Sequence, residues 1–169
     1  MNIKNLVLKT NVTKFIKDIK SSLIEDCLSQ RNKINSIKDA LNYPVESKYT
    51  NFLYNIFYLT SKKYLKNFDL SDVNFKLWCY LTDEKYNKGI WHNHSKTSSI
   101  NCVIYLKTQG KGIHFKHNNE EIYILPNDND MLIFPGFLDH LPEQSKKEPR
   151  ITLNLELRCK EPTEKIFNL

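Results

Sequence analysis

Two kinds of hydrophobic spacing divide the chain. Up to about residue 70, apolar positions recur every three or four residues. In "NVTKFIKDIKSSLIEDCL", Val12, Phe15, Ile16, Ile19, Leu23, Ile24 and Leu28 trace one face of a helix, with Asn11 or Thr13 as its cap. "KYTNFLYNIFYLTSKKYLKNF" repeats the spacing with more aromatics, which predicts a second helix whose aromatic stripe is core. From Val73 onward the pattern changes to short apolar runs: "VNFKLWCYL", "SINCVIYL", "GIHF", "EIYIL", "MLIF" and "ITLNLEL". Their length, β-branched and aromatic content and partial alternation predict strands. The Asn-, Asp-, Gly- and Pro-bearing segments between them, such as "DEKYNKG", "KTQGKG" and "PGFLDHLPEQSKKEP", are turns and loops.

Strands this closely spaced, with no helical pattern between them, predict a mainly β fold: an antiparallel, jelly-roll-like barrel with the N-terminal helices packed outside it. The 169 residues suit a single domain. Residues 1–70 form its mostly helical support and residues 71–160 its β core.

Composition narrows the class. Hydrophobic residues make up 40%, with nine Tyr and nine Phe, more than a disordered chain carries. No apolar stretch approaches the roughly 20 residues of a membrane span. Cys27, Cys79, Cys102 and Cys159 lie far apart, with no C-x-x-C pair and no secretory leader, so reduced thiols in a cytoplasmic protein are expected, Cys79 and Cys102 in the core. The formal charge of +6 favours anionic partners, but the lysines are scattered. Nucleic acid therefore remains a weakly supported partner beside small anions.

Candidate chemistry begins at "WHNHSKTSSINCVIYL". Side chains alternate along a strand, so His92 and His94 share a face and could reach one ion. Alone, this pair fits a polar strand start with solvated imidazoles better. His140 follows an apolar run and a Pro-Gly turn, and Arg150, ten residues further, opens "RITLNLEL". There Arg150, Thr152, Asn154 and Glu156 share one face and Ile151, Leu153, Leu155 and Leu157 the other. The polar row either meets solvent or lines a cavity in which a guanidinium grips a carboxylate.

The ordered set of H-x-H, a strand ending Tyr-Leu, G-x-x-F, a strand ending Phe-Pro, His140 and then Arg-x-Thr resembles the non-haem iron and 2-oxoglutarate-dependent oxygenases, above all their short phage and bacterial members. The resemblance spans about Phe75 to Leu157. It implies a double-stranded β-helix, Fe(II) and 2-oxoglutarate as cofactors, and hydroxylation of a substrate the sequence does not identify. It further implies His92 and His140 as iron ligands, with His94 where the family most often has Asp or Glu. Arg150 would grip the distal carboxylate of 2-oxoglutarate, with hydroxyls from Thr152 and Tyr105. Iron(II) suits imidazole and carboxylate ligands on one triangular face and keeps positions for a bidentate keto acid and oxygen. Asp139, next to His140 on an extended segment, should point away and cannot replace the carboxylate.

His114 and His117 are expected on the surface, Trp78 and Trp91 as core and wall, and Tyr80 as a lesser cosubstrate candidate than Tyr105. Two other readings use the same residues: a cupin-like metal- or small-molecule-binding protein without oxygenase activity, and a non-catalytic interaction module with a degenerate site.

Overall fold

The computed structural model describes residues 2–33, 41–65, 74–85 and 87–169. A 3-10 turn, Ile3–Leu6, leads into β1 (Leu8–Asn11), α1 (Thr13–Ile16), α2 (Lys20–Lys33), β2 (Leu41–Pro44) and α3 (Thr50–Ser61). The β region follows with β3 (Asn74–Thr82), β4 (Ile100–Lys107), β5 (Ile113–His117), β6 (Glu120–Ile124), β7 (Asp130–Pro135), β8 (Asp139–Pro142) and β9 (Arg150–Arg158), and α4 (Thr163–Phe167) comes last.

The strands form two sheets of antiparallel neighbours, one of six in the order β1-β7-β4-β9-β3-β2 and one of three in the order β6-β5-β8. This is the mainly β, jelly-roll-like arrangement expected, with one correction: the sheets face each other without closing into a barrel. Closure would need hydrogen bonds between edge strands, and β1 and β2 end the large sheet as short four-residue strands.

Two apolar clusters hold the layers together. Ile151, Leu153, Leu155 and Leu157 of β9 pack with Leu23 of α2 and Leu53 and Phe57 of α3. Between the sheets, Val103 and Tyr105 of β4 meet Phe115 of β5 and Phe134 of β7. β4 is therefore covered on both faces, which is why its sequence is a continuous apolar run rather than an alternating one. Cys79 and Cys102 are fully buried, as expected.

The first helix is broken where a single one was predicted. Val12 N–H donates to Asn129 O at 2.9 Å and Lys20 reaches Asp128 at 3.0 Å, so both helical starts are tied to one loop. The break falls between those anchors. Asn11 Oδ1 accepts from the Thr13 amide at 3.0 Å, but the cap position of α1 is Val12, which makes no side-chain cap bond, so neither Asn11 nor Thr13 takes the place expected of it. The second helix ends at Ser61. Residues 66–68, assigned to it from sequence, lie outside the described residues, as do Val73 and Tyr86.

Candidate metal centre

His92 and His140 are set by the backbone. Each amide donates to the other's carbonyl, His92 N–H at 3.1 Å and His140 N–H at 2.9 Å, forming an isolated antiparallel bridge that joins the segment before β4 to β8. His94 is set by its own amide, which donates to Gly136 O at 2.7 Å. These contacts gather three imidazoles whose ligand atoms all lie within 4.8 Å of one another. The rings of His92 and His140 are 4.2 Å apart by centroid, and Phe134 backs His140 at 5.1 Å.

The protons on these rings are also placed. His92 Nδ1 lies 2.9 Å from Ile90 O, and His140 Nδ1 lies 2.9 Å from Leu138 O. A carbonyl can only accept, so each Nδ1 carries the hydrogen and each Nε2 keeps a bare lone pair. Burial, then the neighbouring His92, hold His94 down at about 4, and the same two causes in the same order hold His140 at about 3. Both are neutral at pH 7, the form a metal requires. The donor set therefore fits a divalent transition metal of the iron or zinc type.

These histidines line a cavity of about 980 Å³ between the sheets, shared with Tyr105, Arg150 and Thr152. The polar face of β9 points into it, which settles the choice between solvent and cavity. Arg150 is 1% exposed, and its Nε and Nη1 have no hydrogen-bond partner. Tyr105 is fully buried with its hydroxyl likewise unpartnered, and its ring centroid is 5.3 Å from the guanidinium carbon. Burial pushes the Tyr105 phenol up to about 12 against the lowering pull of Arg150, so it stays a hydroxyl donor. Thr152 sits in register between Tyr80 of β3 and Tyr105 of β4. The β4 ladder shifts register between Tyr105 and Lys107, a bulge opposite Thr152 and Ile151, next to Arg150 in sequence.

Tyr80, ranked below Tyr105 from sequence, lies 6.0 Å from the Arg150 guanidinium, but its hydroxyl is engaged with Gln144. Asp139 accepts from Asn93 Nδ2 at 2.7 Å, outside the histidine cluster as expected. His114 faces outward beside Glu121, and His117 closes β5 against Phe137. Trp91 corrects its assignment to the cavity wall. It is exposed and edge-on to His114, because the bridge that turns His92 inward turns its neighbour out. Glu156 was placed on the polar face of β9 but given no role. Its Oε1 lies 3.3 Å from His94 Nδ1, a proximity no local sequence pattern reveals.

No family model and no curated protein matches the sequence. Solved structures do match the fold. A Pseudomonas putida prolyl-4-hydroxylase superposes with a TM-score of 0.69 at 12% identity, over 92% of this chain and 94% of that one. A Trichoplax adhaerens prolyl hydroxylase, in complex with a hypoxia inducible factor peptide fragment, gives 0.66 at 14% identity over 92% and 84%. HygX from Streptomyces hygroscopicus, with nickel and 2-oxoglutarate bound, gives 0.66 at 9% identity over 92% and 83%. The two facing sheets with a cavity between them are thus the double-stranded β-helix fold that these enzymes share.

Proposed function

We propose that the protein is an Fe(II)- and 2-oxoglutarate-dependent oxygenase. The observation that carries this reading is Arg150. A guanidinium sealed from water with two unpaired nitrogens is strongly unfavourable unless an anion meets it, and among the described residues no carboxylate pairs with it. It opens into the cavity that holds the histidines. A cupin-like protein using the same imidazoles needs no such group. A dicarboxylate held by metal at one end and by Arg150 at the other satisfies both.

In this reading His92, His94 and His140 hold the iron through their bare nitrogens. Arg150 grips the distal carboxylate of 2-oxoglutarate, with Tyr105 donating its hydroxyl to the same group and Thr152 turning its own from Asn154 Oδ1 to join it. Iron held there would supply the oxidative chemistry, in which molecular oxygen decarboxylates 2-oxoglutarate to succinate and carbon dioxide and hydroxylates the substrate. The chain's part is to exclude water, align the cosubstrate and keep His94 and His140 neutral.

The primary substrate enters the remaining cavity. Peptides, small metabolites and nucleic acid all stay in view as that substrate. We read the chain as a single domain, its helices supporting the sheet that carries the site, since one apolar cluster runs through both. Among the described residues no helix is long and apolar enough to cross a membrane. Four buried free thiols support a reducing, cytoplasmic setting.

Anaerobic titration tests the function. Fe(II) and 2-oxoglutarate together should produce a weak visible charge-transfer band. Arg150→Ala should lose the band while still binding metal. No band and no metal in the wild-type protein would overturn the reading in favour of a non-catalytic module. Metal binding without a band would favour the cupin-like alternative.

A further inference from the structure

The three imidazoles are not held alike. His92 and His140 each give their Nδ1 proton to the carbonyl two residues earlier, Ile90 and Leu138. For His94 that carbonyl belongs to His92, where it already accepts the His140 amide in the bridge. Among the described residues, the His94 ring makes no such bond to a carbonyl. At its Nδ1 edge stands Glu156 Oε1, 3.3 Å away.

We propose that Glu156 is the outer carboxylate of the metal centre: it takes the Nδ1 proton of His94 in a hydrogen bond, orients that ring, and supplies from behind it the negative charge that a carboxylate ligand would supply directly. The inference rests on the metal-centre reading above. Three neutral imidazoles leave a divalent ion its full double charge, whereas a carboxylate in the first position would remove one unit. A carboxylate hydrogen-bonded to a ligand imidazole raises that ligand's basicity and restores part of the difference through the ring. Glu156 is not itself in the cluster: among the described residues, the group of close ligand atoms comprises the three histidines alone.

Its surroundings suit this role. The Glu156 side chain is 14% exposed and faces the cavity on the same side of β9 as Arg150 and Thr152. Its neighbours in register are Lys76 on β3 and Asn101 on β4. Asn101 is 3% exposed, with its Nδ2 unpartnered beside the same cavity. A carboxylate in so closed a position is unfavourable unless a donor meets it. Glu156 is therefore a positioning residue, acting on the metal through His94.

Zn(II) alone is the probe. Glu156→Gln, which keeps the shape and removes the charge, should weaken Zn(II) binding about 10- to 100-fold, the usual consequence of losing such a partner. In a His94→Ala background the same substitution should cost nothing further. In the Zn(II)-loaded wild-type protein, nitrogen-15 NMR of the histidines should show three Nδ1–H tautomers. Glu156→Gln should move the His94 proton and leave those of His92 and His140 in place. Unchanged affinity in Glu156→Gln would overturn the proposal, as would an equal loss with and without His94, or a His94 protonated on Nε2. The wild-type titration reads the metal centre by itself: a protein that binds no Zn(II) overturns that reading and this one with it. The wild-type tautomer spectrum needs no variant and stands even if one misfolds.

Discussion

His92 and His140 are backbone partners as well as imidazole neighbours: two reciprocal amide-to-carbonyl bonds, at 3.1 and 2.9 Å, bring together residues 48 positions apart and place their rings 4.2 Å apart. The bridge fixes geometry without relying on loop stiffness, since paired strands hold a side chain better than a free loop does. It also divides the flanking carboxylates by face, turning Asp139 away while β9 brings Glu156 to His94.

That division predicts opposite outcomes for adjacent residues. His140→Ala should abolish tight Zn(II) binding, because the buried third ligand is lost. Asp139→Asn should leave it unchanged, since its partner is Asn93 on the outer side. Isothermal titration of both variants checks this, and a loss in Asp139→Asn would show that the cluster recruits that carboxylate.

Gly136 should tolerate no side chain. A Cβ there would stand 2.0 Å from Ser98 O, a backbone atom that cannot swing aside. Gly136 also accepts the His94 amide and donates to Ser99 O at 3.0 Å. Gly136→Ala should lower the melting temperature and weaken metal binding together. Measuring both separates this from a surface substitution, which would change neither.

In the cosubstrate clamp, charge geometry should outweigh the phenol. Arg150→Lys should lose most 2-oxoglutarate affinity while retaining metal, because an ammonium replaces a bidentate fork with a point charge. Tyr105→Phe removes one neutral hydrogen bond, about 0.5–1.5 kcal/mol, and should raise the 2-oxoglutarate dissociation constant several-fold. Competition binding on the metal-loaded protein ranks the two. The reverse order would displace Arg150 from the centre of the clamp.

Acid should act at the far end of the large sheet. Burial would raise the Asp130 carboxyl, but the Asn127 amide and the side chains of Asn11 and Lys9 outweigh it and hold it below its ordinary 3.8. The folded state thus releases this proton more readily than the unfolded one. Its contribution is complete above 3.8 and disappears as pH falls through the lower folded value. Asp130→Asn should therefore be less stable than wild type at pH 7, with the gap narrowing near pH 3. Urea unfolding at both values tests the sign.

Much of this was legible before any coordinates. The alternation in "RITLNLEL" sorted apolar from polar faces correctly, because a strand between two layers exposes its period of two directly. The spacing of Leu53, Ile56 and Phe57 marked the buried face of a helix for the same kind of reason. The H-x-H pair, His140 and Arg150 could be named as candidates because each sits at a strand end or beside an apolar run.

Tertiary structure alone decided the rest. "LKTN", "LNYP" and "DHLP" carry no apolar run, and they are strands because β7, β3 and β5 lie beside them to accept their hydrogen bonds. The open sheets, the outward turn of Trp91 and the break after α1 follow from long-range pairings that leave no local mark. So does the meeting of His94 with Glu156. Periodicity reports which side of an element is buried, but the partner across the cavity is chosen by register between segments distant in sequence, and only the folded chain sets that register.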